Sequence, residues 1–181
     1  MGLVIVMNIT SSQKFPKAKS NSFTLVELLV VISIIGLLAG LGLPAISGAI
    51  QAGRKAEVAA MAESIKTAVN AYYAEYSSYP SNSGTTDLVF LKLISTTNTD
   101  GGNTRGIAFL EVPPKFTNAT LGLVTPSGFY KGQSNFFIKI DTNGAGVLTN
   151  TVGSSNYVVP SSVAVWVVDP KNKDKPVGTF K

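Results

Sequence analysis

The chain has 181 residues, with 15 Lys and Arg against 10 Asp and Glu, and 45% of its residues are hydrophobic while only 14% are charged. This composition excludes a disordered charged tail. The absence of His and Cys excludes a Ser-His-Asp or Cys-His triad, a Cys/His zinc site, a haem-ligating His and any disulfide.

Residues 1–22 form a basic leader that contains Lys14, Lys17 and Lys19 and no acidic residue. Met1 and Met7 are both possible starts of this segment. Because much of the excess positive charge lies in the leader, the rest of the chain is only weakly basic. The sequence therefore does not favour a nucleic-acid-binding face.

Residues 23–43 are predicted to form a transmembrane helix. They read FTLVELLVVISIIGLLAGLGL, in which 15 of 21 residues are apolar. At a rise of about 1.5 Å per residue such a helix is roughly 31 Å long, which matches the hydrocarbon core of a bilayer. A signal-peptide core is the alternative, but such cores run only about 7–15 residues.

Residues 44–79 are predicted to continue the helix as its amphipathic second half. Pro44 stands at the junction, where it is expected to kink or loosen the helix. Tyr79-Pro80 begins the cluster of residues that ends the run. A single apolar stripe at helical spacing is formed by Val58, Met61, Ile65, Ala68, Tyr72 and Tyr76.

Residues 80–181 are predicted to form a globular head with a short helix and C-terminal antiparallel strands. Asp87 to Ile94 is the expected helix, and Asn135 to Asp141 alternates as a strand. Val147 to Thr149 is expected to pair with that strand as a hairpin across an Asn143-Gly144 turn. The overall prediction is an α+β fold, in which the long N-terminal helix packs on a small antiparallel sheet.

The end of the head carries two further expectations. Val163 to Val168 is apolar on both faces, which suits a central strand covered by the long helix. Trp166 on that strand is expected to be a core residue rather than part of a binding site. The tail from Lys171 to Lys181 is expected to be a solvated end.

Glu27 is the most informative polar residue, because a carboxylate within an apolar helix costs roughly 2.5–3.5 kcal/mol on insertion and is usually functional. A position near the cytoplasmic interface would make that cost small and is the alternative explanation. A functional carboxylate needs a positive partner, and residues 23–53 contain no Lys or Arg. Cleavage after Ser22 would supply one, as a free amine on Phe23.

The segment from Ser22 to Ile32, SFTLVELLVVI, resembles the processing and methylation signature of type IV pilins and type II secretion pseudopilins. In that signature a basic leader and a small residue precede Phe-Thr-Leu-x-Glu and a long apolar helix. Pro44 falls where the family has its helix-melting proline. Arg105 to Pro113 and Ser162 to Trp166 are similar to segments of major pseudopilins, whereas Ser22 replaces the family's usual Gly before the cut.

The resemblance implies that a prepilin peptidase cleaves between Ser22 and Phe23 and that the new N-terminus is methylated. It implies that Glu27 then attracts the Phe23 amine of a neighbouring subunit. Gly36 and Gly40 form a GxxxG that either brings helices together or, with Pro44, softens the helix, and both readings serve assembly. The implied location is the bacterial inner membrane, with a single span, a periplasmic C-terminal domain and later incorporation into a periplasmic or surface filament.

The implied function is structural and not enzymatic, as a pseudopilin of a type II secretion system. The implied partners are other copies, other pseudopilins, the prepilin peptidase, the inner-membrane assembly platform and the lipid bilayer. A true type IV pilin for adhesion, motility or DNA uptake is one alternative, although adhesive pilins commonly close their C-terminal loop with a disulfide. An uncleaved signal-anchored binding protein is the other.

No cofactor is expected, with one open alternative at the loop that contains Asp141 and Asn143. In the family, an Asp- and Gly-rich C-terminal loop often holds calcium. Here the loop reads Asp-Thr-Asn-Gly-Ala-Gly, with Ala145 where a second acid would help. A turn made by Asn143-Gly144 explains the same residues without a metal.

Overall fold

The computed structural model describes residues 23–96, 102–130 and 132–180 of the chain. The chain divides into two compact units, one up to Pro44 and one from Ala45 to Lys181. Residues 1–22, the predicted leader that ends with Ser22, lie outside the described residues.

The long helix α1 runs from Leu25 to Tyr76, and the helix continues through Pro44. Proline has no backbone N–H, so this turn has one hydrogen bond fewer than its neighbours. Ser77 adopts a left-handed conformation with φ of 52°, which ends the helix three residues before the predicted Tyr79. By length and composition, α1 is the single helix in the described part of the chain that could cross a membrane.

Within the described residues, a second α-helix and seven strands follow α1. Helix α2 spans Leu88–Ser95, and Asp87 caps it by accepting a hydrogen bond from the Phe90 N–H at 2.9 Å, close to the predicted bounds. The strands are β1 (Thr117–Asn118), β2 (Gly122–Leu123), β3 (Phe137–Ile140), β4 (Leu148–Val152), β5 (Ser155–Val159), β6 (Val163–Asp169) and β7 (Asn172–Gly178). The main sheet has the order β3-β6-β7, while β1-β2 and β4-β5 are separate two-stranded antiparallel sheets.

The main core lies between α1 and one face of the β3-β6-β7 sheet. The predicted stripe is buried from Val58 to Tyr72, and Tyr76 is half-buried. Val58 and Ile65, both at 0% exposure, pack in one cluster with Val163 and Val165 of β6. Helix α2 closes the same cluster with Phe90. The prediction of a central strand covered by the long helix is therefore confirmed.

A second core covers the opposite face of β6. Trp166 is only 7% exposed and packs there with Leu148 of β4, Val159 of β5 and Phe180. The Trp166 ring stands edge-on to Phe180, with 5.4 Å between ring centroids. The β4-β5 hairpin thus covers the face that α1 does not, and the core role predicted for Trp166 is confirmed.

The predicted hairpin between Asn135–Asp141 and Val147–Thr149 is wrong. β3 pairs with β6 instead, and β4 pairs with β5. The Asp141 carboxylate accepts backbone hydrogen bonds from Asn143 and Gly146, which closes the intervening loop on itself. The chain therefore leaves the sheet plane and places β4 over Trp166.

The prediction of a solvated tail after Lys171 is also wrong. Residues 172–178 form β7, which pairs with β6, and Phe180 is only 6% exposed. Charged residues and Pro176 are typical of an edge strand, which has to avoid pairing with another chain. Lys173 and Lys175 are exposed, and this polar pattern is what concealed the strand.

We expect Phe180→Ala to lower the free energy of unfolding by about 3–5 kcal/mol, because it leaves a cavity beside Trp166. Val158→Ala is the control, since Val158 is 69% exposed and its truncation should change stability by about 0.5 kcal/mol or less. Denaturant unfolding of the full chain in detergent, followed by the fluorescence of the single Trp, measures both. Equal stability of the two variants would show that the end of the chain is not part of the core.

Candidate functional site

Thr24 and Glu27 form a reciprocal capping box at the start of α1. The backbone N–H and the hydroxyl of Thr24 both donate to Glu27 Oε2 at 2.8 Å, and the Glu27 N–H donates to Thr24 Oγ1 at 3.2 Å. This is the Ser/Thr-x-x-Glu arrangement that satisfies free N–H groups at a helix start. In the single chain the Glu27 carboxylate therefore already has hydrogen-bond donors from its own first turn.

Thr24 was not predicted as a partner of Glu27, although the Thr-x-x-Glu spacing before an apolar run is a sufficient signal. Phe23 precedes the cap and its side chain is exposed.

Gly36, Gly40 and Pro44 all lie within α1, one helical turn apart, so they share one side of the helix. A Cβ added at Gly36 or Gly40 would meet nothing within 4 Å apart from the helix itself. The contacts of the single chain therefore do not require glycine at either position. Any requirement must come from helix flexibility or from another helix.

The apolar side chains of the first part of α1 have no protein cover. Every large apolar side chain from Phe23 to Ile50 is at least 48% exposed. Exposure of this kind all round a helix is typical of a segment that lies in lipid or packs against other subunits.

A partly buried ion pair joins α1 to the end of β6. Lys55 Nζ lies 2.5 Å from Asp169 Oδ2, and the Lys171 N–H donates to Asp169 Oδ1 at 2.9 Å. Burial alone would raise the pKa of the Asp169 carboxyl, since the residue is only 3% exposed. The Lys55 hydrogen bond, the Lys171 N–H and the charges of Lys55 and Lys175 outweigh burial and hold this pKa below its usual value.

Two further contacts lie close to the Lys55–Asp169 pair and connect α1 and β6 to the segment that contains Gly128 and Tyr130. Arg54 Nη1 donates to the Gly128 carbonyl at 2.8 Å, and Gly128 has a φ of 93°, which favours glycine. The Tyr130 hydroxyl donates to the Val168 carbonyl of β6. Burial, with the nearby Asp169 charge, raises the pKa of Tyr130 to about 12, so this hydroxyl remains a donor at neutral pH.

The Asp141 carboxylate accepts hydrogen bonds from the backbone of its own loop. Asp141 Oδ2 accepts from the Gly146 N–H at 2.7 Å, and Oδ1 accepts from the Asn143 N–H at 3.1 Å. The Gly146 hydrogen bond is the main reason why the pKa of Asp141 is lowered. Within residues 23–96, 102–130 and 132–180 no three acidic side chains gather at one place.

The N-terminal segment matches a known family model. The model describes the prokaryotic N-terminal methylation motif and matches residues 17–43, which include Phe23, Glu27 and the apolar part of α1 before Pro44. Over this segment the chain is similar to the type IV pilin and pseudopilin family. Members of that family are structural subunits and not enzymes.

Several curated pilins are similar to this chain. A fimbrial protein of Neisseria meningitidis is 42% identical over 60 residues, which cover 33% of this chain and 35% of that protein. The type IV major pilin protein PilE1 of Neisseria gonorrhoeae is 40% identical over 60 residues, which cover 33% of this chain and 36% of that protein. The fimbrial protein EcpC of Eikenella corrodens is 29% identical over 122 residues, covering 66% and 78%.

The chain spans about a third of the length of the Neisseria pilins that it matches. No solved structure matches the chain.

The Lys55–Asp169 pair predicts how the stability of this protein depends on pH. The folded-state pKa of Asp169 is below the unfolded value of about 3.9. The stabilisation is therefore complete above about pH 4 and is lost as the pH falls through the folded-state pKa. Lys55→Gln should cost about 2 kcal/mol at neutral pH, less than the 3–5 typical of a fully buried pair, because the Lys55 side chain is 38% exposed.

Unfolding of the full chain in detergent between pH 3 and pH 7 measures this difference. The gap between wild type and Lys55→Gln should narrow toward pH 3. Lys92→Gln is the control, since Lys92 is exposed on α2, far along the chain from the pair. A gap that stays constant with pH would show that Asp169 is not the titrating group.

Proposed function

We propose that this pilin-like chain is the subunit of a helical filament and that it rests in a membrane, through the first part of α1, before assembly. The supporting observation is that all large apolar side chains from Phe23 to Ile50 are exposed in the single chain. Such a surface needs either lipid or the helices of neighbouring copies. The two environments correspond to the resting and the assembled subunit.

In this proposal a prepilin peptidase removes residues 1–22 and methylates Phe23. The new amine lies in an apolar setting and needs an anionic partner, which the Glu27 of a neighbouring copy supplies. At an effective dielectric of about 20, two charges 4 Å apart attract by about 4 kcal/mol, from which desolvation subtracts. The pair therefore sets the register of the subunits more than their total binding energy.

Gly36, Gly40 and Pro44 are proposed to serve assembly. Glycine weakens a helix by about 1 kcal/mol and proline by about 3 kcal/mol relative to alanine. These positions share one side of α1, so close approach of a second helix and local unwinding are both compatible with them.

The finer function that we propose is that of a pseudopilin in a type II secretion system. It would work with other pseudopilins and an assembly platform in the bacterial inner membrane, with the head in the periplasm. The absence of cysteine supports this choice, because the head has no disulfide of the kind that adhesive pilins commonly use. A true type IV pilin is the second candidate, since the similar proteins of Neisseria and Eikenella are named as pilins and fimbrial proteins.

Processing is tested by the intact mass of the membrane-extracted protein. We expect loss of residues 1–22 and the addition of one methyl group. Ser22→Gly is the matched variant, and it should be processed at least as fast because it restores the usual family residue. A wild-type mass that still includes Lys14 to Ser22 would refute the pilin-type function and favour an uncleaved anchor.

The role of Glu27 is tested by two variants that separate its charge from its capping bonds. Glu27→Gln keeps the capping box, since glutamine also serves at this position, but it removes the charge. We expect normal insertion and cleavage but failed assembly. Removing one member of a buried pair costs about 3–5 kcal/mol, which is at least two decades in the association constant for each added subunit.

Thr24→Ala is the complementary variant, because it removes the side-chain cap and leaves the carboxylate. It should weaken the helix start by about 1 kcal/mol and still give filaments. Sheared filaments are counted for both cleaved proteins. Wild-type yield from Glu27→Gln together with none from Thr24→Ala would mean that Glu27 acts by starting the helix and not by pairing.

A further inference from the structure

Five basic residues gather around Asp169, on α1 and at the turn between β6 and β7. They are Arg54, Lys55, Lys171, Lys173 and Lys175, and we refer to them as the basic cluster. The Lys55–Asp169 pair brings the two segments together. Arg54, Lys55 and Lys171 line one groove of about 190 Å³, and Lys173 and Lys175 line the neighbouring depressions.

The basic cluster has more positive charge than its own acids offset. Asp169 is committed to Lys55, and the Asp174 carboxylate accepts from the Ser154 N–H and hydroxyl, both at 2.7 Å. The other basic side chains of the cluster are exposed. Of the ion pairs found among the described residues, only Lys55–Asp169 involves this cluster.

The position of the basic cluster along α1 relates it to the exposed apolar surface. Ile46 and Ile50 are the last exposed large apolar residues of the N-terminal run, and Arg54 follows Ile50 by one helical turn, about 6 Å. The 26 residues of α1 from Leu25 to Ile50 correspond to about 39 Å of helix, close to the roughly 40–45 Å of a bilayer with its headgroups. The charges therefore begin where the helix would leave the lipid.

We infer that the basic cluster binds the phosphate groups of an anionic lipid surface and holds the head against the membrane before assembly. The inference rests on the proposed membrane-resting state. Arg54 and Lys55 lie on the segment that leaves the bilayer, and the turn with Lys171 is fastened beside them. Long basic side chains extend about a helical turn toward headgroups while their stems stay on apolar surface.

The expected strength follows from the number of exposed cations. Each Lys or Arg near an anionic surface adds about fivefold to the binding constant, and salt screens the effect within a Debye length of about 10 Å. Loss of two cations should therefore reduce the population of surface-bound heads about 25-fold. Because each contact between a lysine and a phosphate group is weak by itself, the head can still leave the surface when the subunit is assembled.

The test uses the full chain in vesicles of phosphatidylcholine, with or without phosphatidylglycerol. The chain has no cysteine, so Asn172→Cys in the exposed turn accepts a single dye, and a quencher on lipid headgroups reports its distance from the surface. Ser78→Cys, beyond the other end of α1, is the control site. We expect quenching at residue 172 in anionic vesicles only, with loss of the effect at high salt.

The charge variants decide which residues are responsible. Lys171→Gln with Lys173→Gln should abolish the quenching, whereas Lys66→Gln with Lys92→Gln removes the same charge elsewhere and should keep it. The inference would be overturned if quenching did not depend on lipid charge. It would also be overturned if quenching persisted in the variant with Lys171→Gln and Lys173→Gln. A salt-sensitive signal that persists in phosphatidylcholine and rises with protein density would also overturn it, because a second copy would then be the partner.

Flotation and resistance to alkaline extraction are measured on the same vesicles. A chain that fails to insert refutes the proposed membrane-resting state itself. A chain that inserts without approach of residue 172 to the surface refutes only the role of the basic cluster.

Discussion

Strand β6 carries apolar side chains on both of its faces, so the head can fold only if two different elements cover it. The α1 stripe covers Val163 and Val165 on one face. The β4-β5 hairpin and Phe180 cover Trp166 on the other. The remaining features of the head, from the closed Asp141 loop to the pairing of β7, bring those two covers into place. A central strand with a single cover would expose a large apolar patch.

The same helix meets two different surroundings along its length. Between Phe23 and Ile50 its apolar side chains are exposed, and from Val58 onward the apolar stripe is buried under the sheet. Arg54 and Lys55 lie between these stretches. Their contacts with Gly128 and Asp169 fix the β6-β7 turn beside α1 and leave the neighbouring lysines free to face an anionic surface.

The capping box changes how Glu27 is to be understood. In the single chain its carboxylate accepts two hydrogen bonds from Thr24, so it is not an unsatisfied group that awaits a partner. Both bonds go to Oε2, so the carboxylate can still accept from a neighbouring amine through Oε1. Because that amine is charged, the added bond can favour assembly while the subunit keeps its ordered helix start.

Local patterns in the sequence predicted most of the features that depend on neighbouring residues. The period of the apolar stripe predicted α1, Asp87 marked the start of α2, and the uninterrupted apolar run predicted β6 with Trp166 in the core. Phe23, Glu27 and the preceding basic leader indicated the likeness to pilins. Thr24 could have been found by the same means.

Only the tertiary structure decided which strands pair and which charges meet. The turn-forming Asn143-Gly144 suggested a hairpin between neighbouring strands, yet β3 pairs with β6 and β4 with β5. The sequence of β7 resembled a solvated tail because edge strands carry lysine and proline. Its pairing with β6 is not encoded in residues 172–178 alone, since it depends on β6 being available beside them. Lys55 and Asp169 are 114 residues apart in the chain. Local sequence determines conformation and the buried face, whereas partners depend on which surfaces remain uncovered once the whole chain has packed.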